Sequence, residues 1–173
     1  MKLIHALTVF LLLAGCDAPV KTPKQNFNTD VTINQTLSAG YYEEYLLEAK
    51  HLRGLLLDFD VKAVKDDDNK DSTPSVAVLL KDLKREQYFS VEYYQAEQPY
   101  LALLVVSGDD VWFDESIDLP AEITQMSVKF DAGNVFIEAK NFSHAMNVPF
   151  ETEFVAISHA STEISNRIDF LYK

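Results

Sequence analysis
Few residues in this sequence have the type and spacing to do chemistry, and most of those are carboxylates. Asp67, Asn69 and Asp71 in "KDDDNKDS" (residues 65–72) follow the D-x-N-x-D opening of a calcium loop, in which oxygens spaced by two converge on one hard cation. Ser72 stands where such a loop needs glycine, and Val78 stands at the twelfth position in place of a bidentate glutamate. The segment therefore reads as a solvated acidic loop before it reads as a metal site, and no metal is expected. Asp114, Glu115, Asp118 and Glu122 in "DDVWFDESIDLPAE" are the best candidates for a carboxylate pair that could hydrolyse a glycosidic bond. Acidic turns on an acidic protein explain them as simply. His51, His144 and His159 have neither i,i+4 nor H-E-x-x-H spacing, so a zinc site has no support. There is no G-x-S-x-G elbow, P-loop or G-x-G-x-x-G, and no cofactor is expected.

Aromatic side chains offer a second kind of chemistry. Tyr41, Tyr42, Tyr45, Tyr93, Tyr94, Tyr100 and Trp112 could stack on the apolar face of a sugar, or fill a core with their hydroxyls reaching its edge. Trp112, flanked by Asp109, Asp110, Asp114 and Glu115, is the candidate ligand-stacking residue.

The elements that must position these residues are strands. "GLLLDFDVKAV" (54–64) places Leu55, Leu57, Phe59, Val61 and Ala63 on one face and Asp58, Asp60 and Lys62 on the other. That period of two marks a half-buried strand. Further strands are expected at 75–81, 88–94, 100–107, 125–131, 134–140, 151–158 and 164–172, most of them rich in Val, Ile, Phe and Tyr. "DAGN" (131–134) is a compact hairpin signal. Residues 41–53 fit two patterns: a helical stripe through Tyr42, Tyr45, Leu46, Ala49 and Leu52, or a strand facing Tyr45, Leu47 and Ala49 inward. About eight strands with short connections predict an all-β fold, an antiparallel β-sandwich of jelly-roll type, with or without one short helix near 41–53.

The first thirty residues have a different character. Met1-Lys2 precedes an apolar run from Leu3 to Leu13, broken only by His5 and Thr8, and then Ala14, Gly15 and the sole cysteine, Cys16. A charged start, a short apolar run and small residues describe a secretory signal peptide, and the run is shorter than the roughly 20 residues a bilayer needs. Leu13-Ala14-Gly15-Cys16 resembles the lipobox of bacterial lipoproteins. The resemblance implies cleavage after Gly15, a diacylglyceryl thioether and in many bacteria a further acyl chain such as palmitate on Cys16, and attachment to a membrane of the cell envelope facing the periplasm. Several acyl chains on one residue make a stable anchor where one is marginal. Asp17 resembles the inner-membrane retention signal of enterobacterial lipoproteins, or is a polar residue of the tether; the outer membrane stays open. The expected organisation is a signal peptide over 1–15, a lipidated cysteine and flexible tether over 16–30 and one sandwich domain over 31–173.

Charge narrows the partners. The formal net charge is −12, and loss of Lys2 with residues 1–15 leaves 14 basic against 27 acidic residues. Such a surface is repelled by phosphate backbones, so nucleic acid is not an expected partner. "TLSAGYYEEYLLEAKHLRGLLLDFDVKA" resembles the opening of bacterial pre-peptidase C-terminal-type domains, and "VKFDAGNVFIEAKNFSHAMNVPF" resembles lectin-like sandwiches of the concanavalin or laminin-G kind. Both imply binding or accessory roles. Lectin-like glycosidases carry a tight E-x-D-x-x-E strand motif, and the interval from Glu115 to Asp118 departs from it. The expectation is a non-catalytic, lipid-anchored module that binds an envelope protein or a glycan. The alternatives are a divergent glycoside hydrolase and a purely structural lipoprotein.

Overall fold
The computed structural model describes residues 31–38, 41–63 and 73–172. Cys16, Asp17, the leader, the tether and the candidate calcium ligands Asp67, Asn69 and Asp71 lie outside the described residues. Twelve strands run in chain order: β1 (Val31–Thr36), β2 (Tyr42–Glu48), β3 (Leu52–Ala63), β4 (Ser75–Asp82), β5 (Gln87–Tyr94), β6 (Tyr100–Ser107), β7 (Asp110–Asp118), β8 (Gln125–Asp131), β9 (Asn134–Ala139), β10 (Phe142–Asn147), β11 (Phe154–Ala160) and β12 (Thr162–Tyr172). They form two six-stranded sheets. Sheet I has the order β1-β12-β3-β8-β9-β10, and sheet II the order β2-β11-β4-β5-β6-β7. Every pairing is antiparallel.

The alternation read in the sequence sets which face is buried. In β3, Leu55, Leu57, Phe59 and Val61 are buried, whereas Asp58, Asp60 and Lys62 face solvent. In sheet II, Val76, Val78 and Leu80 of β4, Phe89, Val91 and Tyr93 of β5, and Leu101, Leu103 and Val105 of β6 meet them in one apolar cluster. Phe59 and Tyr93 touch across the interior, with ring centroids 5.6 Å apart. This is an antiparallel β-sandwich, held by the alternate residues of both inner faces.

Of the two patterns that 41–53 fits, the strand forms, as β2 and the start of β3, and the helix does not. Tyr45 and Leu47 pair in register with Ile157 and Val155 of β11, and Leu47 and Ala49 are buried in strand phase. Tertiary pairing decides a segment whose local pattern fits both states. The "DAGN" hairpin is present: Ala132 (φ 46°) and Gly133 (φ 80°) occupy the two turn positions that need left-handed backbone in a type I′ turn. Three strands escape the sequence pattern, namely β1, β7 and β10. All three lie at sheet edges.

Candidate functional site
Inward packing by alternate residues of sheet II leaves the other alternate set on the face turned away from sheet I. Register then determines what meets there, because each residue's cross-strand neighbour shares its face. One row across the six strands reads Glu44, Ser158, Ala77, Glu92, Ala102, Ser116. The row on one side reads Tyr42, Ala160, Ser75, Tyr94, Tyr100, Asp118, and the row on the other reads Leu46, Ala156, Leu79, Ser90, Leu104, Asp114. The middle row is therefore alanine and serine apart from two glutamates, Glu44 on edge strand β2 and Glu92 near the centre. Tyrosines stand along one flank and leucines along the other. Six strands at about 4.8 Å spacing make this trough about 24 Å from end to end.

Glu92 is the chemically distinctive residue of the trough. Ser75 Oγ donates to its Oε1 at 2.6 Å, and the Tyr94 hydroxyl also hydrogen-bonds to the carboxylate. Burial holds the Glu92 carboxyl above the usual carboxylate range, and the hydrogen bonds from Ser75 and Tyr94 oppose that rise without cancelling it. The rings of Tyr94 and Tyr100 stack at 4.8 Å and 12°. Burial and the Glu92 charge push both phenols up, Tyr94 furthest, so the two hydroxyls remain protonated hydrogen-bonding groups. Tyr88, on the same face of β5, is raised for the same two reasons. The arrangement offers a carboxyl that burial makes harder to ionise, a flat aromatic wall and a floor of small side chains beside it.

The sequence-derived candidates fall in several places. Asp114 and Asp118 share the trough face on edge strand β7, two strands from Glu92. Glu115 is in the opposite phase, and exposed Glu122 follows β7 in a loop, so the four do not converge. Trp112 is 55% exposed, at a bulge in which Val105 pairs with Phe113 and Val106 with Val111. It lies outside the three rows of the trough. Of the tyrosines, Tyr93 is core, Tyr41 is exposed, Tyr45 is half-buried beside His159, and Tyr42, Tyr94 and Tyr100 belong to the trough. His51 is exposed and His144 half-buried, while His159 is fully buried. Glu92 was not among the candidates. A lone glutamate in "QYFSVEYY" looks like any solvent-facing strand position, and its partner Ser75 lies 17 residues away.

No protein-family model and no curated protein sequence matches the chain. Solved structures do share its fold. The Bacillus licheniformis β-glucanase superposes with a TM-score of 0.51 at 6% identity, over 83% of this chain and 78% of that one. Sheep galectin-11, solved with glycerol, gives 0.50 at 6% identity over 84% and 100%. The fructofuranosidase of Schwanniomyces occidentalis, complexed with fructose, gives 0.52 at 9% identity over 86% of this chain and 34% of that one. At these identities the likeness is one of fold. It also corrects the non-catalytic expectation: the sandwich is also that of a glucanase and of about a third of a fructofuranosidase chain, so the architecture gives no ground for setting catalysis aside.

Proposed function
We propose that the protein binds a glycan chain in the trough across sheet II while a lipid on Cys16 fastens it to a bacterial envelope membrane. One observation carries the first half: register aligns small side chains of four strands, Ser158, Ala77, Ala102 and Ser116, in one row, with Tyr94 and Tyr100 stacked beside it and Glu92 near its centre. An elongated ligand with apolar faces and many hydroxyls suits such a surface, since tyrosine offers both a flat apolar body and a polar tip. Support comes from the fold, which is shared with a galectin, a glucanase and about a third of a fructofuranosidase chain solved with fructose. The lipobox resemblance and the lone Cys16 support the second half. Titration of the mature protein with soluble oligosaccharides, followed by NMR, is expected to move resonances of β4, β5 and β6. Tyr100→Ala is expected to weaken binding by about five- to tenfold. Binding by none of the oligosaccharides, or shifts confined to sheet I, would overturn the proposal.

A second reading, cleavage of the bound glycan, is favoured by one observation: burial raises the Glu92 carboxyl above the usual carboxylate range, the direction a general acid needs. Asp114 and Asp118 stand two strands away, about 12 Å between Cα atoms from strand spacing and rise. That Cα separation exceeds the carboxyl spacings of both glycosidase classes, about 5–5.5 Å in retaining and about 6.5–9.5 Å in inverting enzymes, and comes nearer the inverting one. Release of reducing ends by the wild type, abolished in Glu92→Gln, supports cleavage; intact oligosaccharide after prolonged incubation rejects it.

A further inference from the structure
The charge distribution over the trough face points to a ligand more specific than a generic glycan. Its acidic side chains are Glu44, Glu48, Glu92, Asp114 and Asp118. Among the described residues in these strand positions, one basic side chain shares that face, Lys81, and it is paired with Glu44 at 2.6 Å, both side chains being over four-fifths buried. The face thus has no uncommitted cation with which to meet a uronate, a sulfate or a phosphate, and a surplus of carboxylates that repel one. Glu92 differs from the other acids in position. It is half-buried on a central strand, hydrogen-bonded by Ser75 and Tyr94, and bordered by the stacked Tyr94 and Tyr100 rings. A carboxylate beside aromatic faces is the environment in which an ammonium group gains both an ion pair and a cation–π contact.

We propose that the trough selects glycans bearing free amino groups, such as runs of unacetylated glucosamine, and that Glu92 is the residue that seats the ammonium. The proposal rests on the glycan-binding reading and deepens it. It has a consequence that a neutral ligand would not produce. Burial favours the protonated Glu92 carboxyl in the free protein, whereas an ammonium beside it favours the carboxylate. Seating the amine therefore draws Glu92 toward its ionised form: in each molecule whose carboxyl holds a proton, the O–H bond breaks, a buffer base takes the proton, and the carboxylate is left paired with the ammonium.

The experiment is calorimetric titration of the mature protein with the unacetylated glucosamine tetramer, its N-acetylated counterpart and an oligogalacturonate. Each is measured in two buffers of different ionisation heat at about pH 6, where a sugar amine is charged. The expected result is binding of the amine tetramer at least about tenfold tighter than of the acetylated one, no binding of the anionic oligomer, and net proton release on binding the amine alone. Glu92→Gln, which keeps the oxygen that accepts from Ser75, is expected to weaken the amine tetramer about ten- to hundredfold and to abolish the proton release. Equal binding of the two tetramers, tighter binding of the anion, or a preference that survives in Glu92→Gln would overturn the inference and leave glycan binding standing. Binding of no oligomer at all would overturn the glycan-binding reading itself.

Discussion
At the residue scale, the buried polar pair His159 and Asn166 has the clearest measurable consequence. His159 of β11 and Asn166 of β12 are both fully buried and meet between the sheets, with Nε2 and Nδ2 3.1 Å apart. With the amide donating, Nε2 accepts and the ring proton sits on Nδ1, which has no partner among the described residues. Tyr45 packs beside the ring, and Glu43 is opposite it in register. Burial pushes the His159 imidazole down to about 4 from its ordinary 6.5. Between those values the unfolded chain binds a proton that the folded chain does not, so stability rises with pH across the window. Chemical denaturation is expected to show constant stability from this group above about pH 6.5 and a progressive loss on acidification toward pH 4, of about 3 kcal/mol in total. His159→Leu should flatten that slope whatever it does to stability at neutral pH. An unchanged slope in the variant would assign the acid sensitivity elsewhere.

At the element scale, the strands legible in the sequence are those whose two faces differ. Alternation in 54–64 shows β3 because Leu55, Leu57 and Phe59 enter the core while Asp58 and Asp60 do not. Strand β7 is illegible for the converse reason. "DVWFDESID" is exposed or half-buried along its whole length, so it has no apolar phase, and it is a strand because β6 offers it an edge. Its acids and the bulge around Trp112 suit an edge that must not recruit another chain. The trough was invisible for a related reason: its floor is assembled from single residues of six strands, and only pairing brings Ala77, Glu92 and Ala102 side by side. Close approach of elements also fixes Gly54, where a Cβ would lie 2.6 Å from the Val128 carbonyl oxygen of β8. Gly54→Ala is expected to pry β3 from β8 at this point and to destabilise the protein by about 1–3 kcal/mol in a thermal or denaturant melt. A loss below about 0.5 kcal/mol would show that the pairing relaxes freely there.

At the scale of the whole molecule, the sandwich and the address proposed for it are separable. The core is an apolar cluster shared by both sheets and uses no disulfide, the chain's one cysteine being Cys16. Cys16→Ser should therefore fold and bind as the wild type does, yet move from the membrane to the soluble fraction when expressed with its leader in a bacterium that processes lipoproteins. Retention of the variant in membranes would reveal another anchor. Among the described residues no helix is long and apolar enough to cross a bilayer.

The strand order also has a temporal side. The two strands latest in sequence, β11 and β12, are interior members of their sheets: β11 lies between β2 and β4, and β12 between β1 and β3. A nascent polypeptide that has reached only residue 150 has nothing to insert at either position, and both sheets carry a gap at the same end of the assembly line. Closure awaits these two strands, one for each sheet, through contacts as distant in sequence as Val31 with Ile168, and such remote pairings form slowly. A body that cannot close until β11 and β12 emerge stays open while the strands before them are being made.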